Sequence, residues 1–342
     1  MLGDPAAAFG ARPFGRPLAR PGAGRIPVTI VTGFLGAGKT SLIRAALGLP
    51  TGARTAVIVN EFGAAGIDDV LLRTSSEQVA LVGNGCICCA ARSDLHRALR
   101  NLAAERETGA VPPFERVVVE TSGVSEPGPL LQSFATDRAI STHYALEGLV
   151  CVVDAVLGAR TLDTSPTFTE QVVLADRLVL TKTDLAAPAA VADLTARLAA
   201  LNPEADLVAA DDVRTGRVLL FTGTARTRPA FACAPSVPAE RLYESFVLTF
   251  ERPFSWPVFT RILDTLTALR GDDLLRVKGF VAVEGRPGPV VVHYVQHLAA
   301  PPEEMRAWPD GVAGTRLVFI TRGLRREQVE AVFSAVLGLA GD

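Results

Sequence analysis

The string GFLGAGKT (33–40) has the spacing GxxxxGK[ST], which fits a bound polyphosphate. Gly33, Gly36 and Gly38 let the backbone turn its N–H groups inward around a β-phosphate. Lys39 reaches the β- and γ-phosphates, and the Thr40 hydroxyl ligates Mg2+ at the positive end of the helix that follows. ETSG (120–123) adds Glu120, a carboxylate able to hold the same ion through water, and the Gly123 N–H for the γ-phosphate. TKTD (181–184) places a Lys182 stem to pack on a base and an Asp184 carboxylate to accept two N–H bonds from guanine, which adenine cannot offer. The competing reading of that string is a helix cap after a strand.

GNGCICCA (83–90) is the second pattern with chemistry in it. Cys86 and Cys88 point the same way in an extended chain, and Cys89 joins them as the chain turns into a helix. Thiolates at a positive helix end suit Zn2+ or Co2+, and three of them leave a fourth position for an oxygen or for a recipient's ligand. Without a metal the same residues read as a redox pair or as small buried hydrophobes. Glu61, in NEFG (60–63), either supplies the oxygen or braces its loop. Cys151 reads as core, Trp256 and Trp308 as packing, and His293 and His297 as a surface or core pair on a strand. Lys278, in RVKG, is left between partner recognition and simple packing.

These residues need a sheet to hold them. IPVTIVTG (26–33), ARTAVIVNEFG (53–63), FERVVVETSG (114–123), GLVCVVDA (148–155) and ADRLVLTKTD (175–184) are β-branched runs that each end in a polar turn, with helix-length segments between them. Such alternation implies right-handed βαβ crossovers and an α/β fold, a mostly parallel, doubly wound sheet covered on both faces. Every chemical motif then falls at the carboxyl edge of that sheet, where ligands bind. The expected organisation is a disordered extension over 1–25, the nucleotide domain over 26–210, and a Pro- and Ala-rich linker over 211–242. A smaller α+β domain of strand, helix, three strands and helix follows over 243–342.

Composition narrows the classes. A chain of 342 residues is comfortable as two domains. Despite 49% apolar residues, every apolar run is broken well short of the ~20 residues a membrane helix needs. A net charge of −2 offers no basic field for nucleic acid. Of 34 basic side chains only Lys39, Lys182 and Lys278 are lysine, and a compact ammonium is kept where it is needed. Five cysteines, three of them within four positions, make a poor disulfide framework and point to a reducing, cytoplasmic setting.

The ordered strings GFLGAGKTSLI, VNEFGAAGIDD, NGCICCAARSDL, VVVETSGVSEP, VCVVDA, TKTDL, LNPEA, RPFSWPVF, LLRVKGF and VQHL resemble the CobW family of P-loop GTPases, relatives of the urease and hydrogenase maturation GTPases. The resemblance implies a slow GTPase that hands a divalent metal, Zn2+ or Co2+, to a client metalloprotein or a cobalamin-pathway enzyme. It assigns GTP phosphates to Gly36, Ala37, Gly38, Lys39, Thr40 and Ser41, magnesium to Glu120, and guanine to Lys182 and Asp184. It assigns the transferred metal to Cys86, Cys88 and Cys89 with Glu61. Three departures stand out. Ala64 replaces a frequent Glu, so one possible oxygen ligand is missing, and Thr181 replaces the usual Asn, which weakens the bracing of the loop. There is no His-rich linker, which argues against metal storage. The rival classes are a P-loop kinase or ATPase and a thiol redox switch.

Overall fold

The computed structural model describes residues 16–17, 24–52, 54–59, 81–83, 91–220, 242–296, 298–309 and 313–340. Two compact units divide the chain: Arg20–Leu198 with Ala205–Arg226, and Met1–Ala19 with Ala199–Glu204 and Thr227–Asp342. The first described element, β1 (Arg16–Pro17), belongs to the second unit.

The first unit holds β2 (Ile26–Thr32), β3 (Thr55–Val59), β4 (Leu81–Gly83), β5 (Arg116–Glu120), β6 (Tyr144–Asp154), β7 (Arg177–Thr181) and β8 (Asp206–Ala209). Their spatial order is β4-β3-β5-β2-β6-β7-β8, and every pairing is parallel, as expected of runs that do not alternate in polarity. The helices are α1 (Lys39–Leu47), α2 (Ala91–Thr108), α3 (Pro127–Thr136), α4 (Arg138–His143), α5 (Gly158–Thr164), α6 (Pro166–Leu174), α7 (Pro188–Leu201) and α8 (Ala210–Arg214). Leu42, Ile43, Ala46 and Leu47 give α1 one apolar face, which packs on Val31, Val57, Val118, Val150 and Val152 of the central strands. Each such aliphatic side chain stabilises by about 1.5–3 kcal/mol before conformational entropy is charged against it. Cys151 lies in this sheet, buried and free, and burial pushes its thiol pKa up.

Residues 211–220, expected as the start of a linker, belong to this unit. Val213 of α8 is buried with the face of α1, and the Arg177 guanidinium donates to Leu219 O (2.6 Å) while pairing with Asp206 (3.0 Å). The register brings the strand ends to one edge: Val59 pairs with both Gly83 and Glu120, Val31 also pairs with Glu120, and Asp154 pairs with Thr181.

The second unit holds β9 (Tyr243–Phe250), α9 (Trp256–Arg270), β10 (Leu274–Val281), β11 (Val290–Val295), β12 (Leu298–Ala299), β13 (Glu303–Glu304), β14 (Thr315–Arg322) and α10 (Arg326–Ala340). The sheet order is β1-β12-β11-β10-β14-β9 with β13 on β11; only β1 and β12 pair in parallel. Arg16–Pro17, inside the stretch expected to be a disordered extension, is thus part of a sheet. Phe259, Ile262, Leu263, Leu266, Val329 and Phe333 of the two helices form one core with Phe246, Val277, Val281, Val292, Leu317 and Phe319. Trp256 is buried there beside Phe259, and Trp308 meets Phe280 edge-on, both as packing. His293 lies in β11, as the alternation predicts; His297 lies outside the described residues.

Lys278 acquires a partner in this unit. Strand periodicity puts Arg276 and Lys278 on the face of β10 opposite Val277 and Val281. The Lys278 ammonium lies 3.6 Å from a carboxylate oxygen of Glu204, whose side chain is 1% exposed. Burial pushes the Glu204 carboxyl above its ordinary 4.5, while the positive charges of Lys278 and Arg276 pull it back. Because the folded form holds its proton more tightly, Glu204 contributes stability below the ordinary carboxylate range that is lost as pH rises through its folded pKa. Glu204→Gln is therefore expected to flatten the fall in melting temperature of this unit between acidic and neutral pH. Parallel slopes for parent and variant in scanning calorimetry would show that Glu204 is not the group responsible.

Candidate nucleotide site

A strand, a glycine turn and a helix N-terminus build the centre of the site. β2 ends at Thr32, and α1 begins at Lys39 with Gly38 as its N-cap and no side-chain cap, so its first N–H groups face the loop. The Lys39 ammonium folds back over this loop, donating to Gly33 O (2.9 Å) and Phe34 O (3.2 Å); the residue is 8% exposed. Ala37 is buried, and Ser41 faces outward on the first turn of α1.

Glu120 ends β5, and its buried carboxylate accepts from the Thr40 hydroxyl at 2.7 Å. The next residue, Thr121, ties this strand end to β2: its N–H donates to Val31 O (2.9 Å) and its hydroxyl to the Thr32 hydroxyl (3.0 Å). Gly123 follows, and its carbonyl accepts from the Gln171 side chain (3.3 Å). A hydroxyl and a carboxylate oxygen in contact beside a phosphate loop are the hard donors Mg2+ takes while keeping most of its waters, so the residues fit that ion.

The side of the site expected to take the base is built from β6 and β7. Thr181 is 2% exposed and holds the phosphate loop with its hydroxyl, which donates to Ala37 O (2.7 Å) and lies 3.2 Å from Val153 O. The bracing expected to weaken when Thr replaces Asn is therefore present. Lys182 adopts a left-handed conformation (φ 56°), and its ammonium bridges Gly36 O (2.8 Å) and an Asp154 carboxylate oxygen (2.6 Å). Asp184 stands exposed in the 3-10 turn Thr183–Leu185.

Asp154 is the residue that sequence reasoning missed. Its Oδ1 accepts from the N–H groups of Val156 (2.8 Å) and Leu157 (3.1 Å). Burial works against its ionisation, but the Lys182 ammonium and the two N–H donors outweigh it and hold the carboxyl below the ordinary 3.8. The signal available was positional: it ends VCVVD as Glu120 ends VVVE.

Glu61, Ala64, Cys86, Cys88 and Cys89 lie outside the described residues. Their flanks are described: the chain leaves β3 two residues before Glu61 and leaves β4 three residues before Cys86. Among the described residues, no group of three His, Cys, Asp or Glu side chains is set to hold a metal, and no helix is long and apolar enough to cross a membrane.

Residues 27–209 match the CobW/HypB/UreG nucleotide-binding domain, and residues 243–337 match the cobalamin synthesis protein CobW C-terminal domain. The zinc chaperone YjiA of Escherichia coli is 33% identical over 319 residues, which cover 91% of this chain and 98% of that protein. The zinc chaperone CobW of Pseudomonas aeruginosa is 29% identical over 339 residues, 88% of either chain. A crystal structure of Zn(II)-bound YjiA GTPase from E. coli superposes with a TM-score of 0.70 at 28% identity, covering 91% of this chain and 99% of the other. With more than half of its length inside the first match and the second match lying within its second unit, the chain belongs to the CobW/HypB/UreG family of P-loop GTPases and carries the CobW C-terminal domain.

Proposed function

We propose that this GTPase is a metallochaperone: it holds one Zn2+ on the thiolates of Cys86, Cys88 and Cys89 with Glu61 while GTP is bound, and yields the ion to a client protein after hydrolysis. The observation that carries this reading is the register of three strand ends. Val59 pairs with Gly83 on one side and Glu120 on the other. Glu61 follows Val59 by two positions in the chain, and Cys86 follows Gly83 by three. Both segments therefore start from the edge that carries the Thr40–Glu120 pair. The names of the zinc chaperones among the relatives support the choice of ion.

In the nucleotide cycle the backbone of Gly33–Lys39 holds the phosphates, and the Lys39 ammonium exchanges its two loop carbonyls for phosphate oxygens. Thr40 and Glu120 would hold Mg2+, which when bound would neutralise part of the phosphate charge. Lys182 and Asp184 hold guanine, the first against the ring and the second at its N–H edge. Loss of the γ-phosphate releases the turn after Glu120, and the segments beside it on the sheet edge lose the arrangement that gathers the zinc ligands. Turnover without a client is slow on this reading.

The test is zinc affinity in two nucleotide states, measured by competition with a chromophoric chelator. A non-hydrolysable GTP analogue with Mg2+ is expected to tighten Zn2+ by about 5- to 150-fold relative to GDP, the ordinary range of a coupling between sites. The triple replacement of Cys86, Cys88 and Cys89 by Ser is expected to abolish one equivalent of bound metal. Equal affinity with either nucleotide defeats the coupling, and unchanged stoichiometry in the triple variant defeats the site. Co2+ offered in competition decides between the two ions.

A further inference from the structure

We infer that Asp154 is a positioning residue for nucleotide binding, acting through Lys182: its carboxylate fixes the ammonium so that the lysine stem lies across the site as a platform for the base. The inference rests on the reading that Lys182 packs on guanine. Asp154 ends β6 directly opposite Thr181 of β7, so the parallel register alone brings it beside the base turn.

Its two oxygens have separate tasks. Oδ1 accepts the N–H groups of Val156 and Leu157, which locks the carboxyl plane to the turn after β6. Oδ2 then faces the Lys182 ammonium at 2.6 Å. That ammonium also donates to Gly36 O in the middle of the phosphate loop, so one cation joins three segments: the turn after β6, the turn after β7, and the loop after β2. A lysine side chain has four rotatable bonds and loses about 1.5–2 kcal/mol of rotamer entropy when ordered. An exposed Lys held by one carbonyl has little to offset that cost. A carboxylate whose side chain is only 9% exposed supplies a charge-assisted bond where solvent screening is reduced. The stem is thereby ordered before the nucleotide arrives, and the base meets a preformed surface.

The chemistry separates the two tasks in the laboratory. Asp154→Asn keeps an oxygen for Val156 and Leu157 and removes the negative charge that fixes Lys182. Lys182→Met keeps the stem and removes the ammonium. Each single variant is expected to raise the Kd for GDP by about tenfold. Asp154→Asn is expected to raise KM for GTP by a larger factor than it lowers kcat. The double variant is expected to bind GDP within about twofold of the weaker single variant, because the second change removes an interaction already lost. Asp154→Glu serves as the conservative variant and is expected to recover part of the affinity.

Factors that multiply in the double variant would overturn the inference, since Asp154 would then act without Lys182. So would an Asp154→Asn protein with parental Kd. A Lys182→Met protein that binds GDP as the parent does would also overturn it, because the stem would then need no fixed ammonium. A Lys182→Ala protein, which loses the stem as well, separates the two readings: parental binding there would remove the base platform itself, and weak binding beside a parental Asp154→Asn protein would remove only the role of Asp154.

Discussion

Lys39→Met lowers kcat/KM for GTP by about a thousandfold or more, the scale of removing a preorganised charge from a phosphoryl-transfer site. Methionine matches the length of the lysine stem and keeps the apolar part of the contact. The ammonium it removes sits over the phosphate loop, bonded to Gly33 O and Phe34 O with the residue 8% exposed. Those two carbonyls belong to the loop expected to hold the phosphates, so the ammonium stands where the β- and γ-phosphates would lie. A thousandfold loss is about 4 kcal/mol of transition-state stabilisation. The fold loses less than two charge-assisted hydrogen bonds of about 1.5–3 kcal/mol each would suggest, because the cost of burying the ammonium is removed with them. Single-turnover hydrolysis and a thermal melt on the same sample separate the two effects. A rate within tenfold of the parent would take the phosphate's counter-charge away from Lys39.

The contrast with Asp154 shows what kind of information a sequence carries. Lys39 is legible because its partners are five and six residues away, inside one strand, one loop and one helix turn. The same is true of the strands that support it: apolar runs without alternation predict a parallel sheet, and each ends in a polar turn where the structure has a strand end. Asp154 and Lys182 are 28 residues apart, and their bond follows from which strands are neighbours and in what register, which hydrophobic periodicity does not specify. The bracing by Thr181 escapes the sequence for a related reason. Its hydroxyl reaches Ala37 O across 144 positions, a contact that exists only once β7 lies beside the loop.

Lys278 and Glu204 follow the same logic at longer range. LNPEA and LLRVKGF were both legible as strings, but the ion pair between them belongs to the packed unit. Short elements also escape the pattern: two residues of β1 and five of α8 are too few to show any period, and they sit in stretches whose composition reads as tail and linker. The thiolate cluster is the opposite case. The expectation of metal chemistry comes from residue types alone, and the end of β4 three residues before Cys86 gives the point from which that segment leaves the sheet.

Gly33→Ala strikes the same loop from the backbone side and is expected to lower stability as well as nucleotide binding. Gly33 has φ +136°, outside the range side chains ordinarily adopt, and a Cβ there would lie 2.2 Å from Val152 O and 2.9 Å from Val152 N. Those atoms belong to β6, held on both sides by β2 and β7, so the strand cannot yield cheaply. The loop must move instead, and with it the carbonyl that Lys39 holds. A clash of that kind with strained backbone costs about 3 kcal/mol or more, which corresponds to a fall in melting temperature of roughly 6–12 °C for a unit of this size. Gly36→Ala is the matched control. It also has a positive φ, +71°, but a Cβ there meets nothing within 4 Å, so only the left-handed penalty of about 1–2 kcal/mol applies. The ordering of the two variants in melting temperature, with Gly33→Ala the lower, is the expected result. GDP affinity should follow the same order, since the displaced loop no longer presents its N–H groups to the β-phosphate. A Gly33→Ala protein that melts with Gly36→Ala and binds GDP as tightly would mean that contact with β6 does not set the position of the phosphate loop.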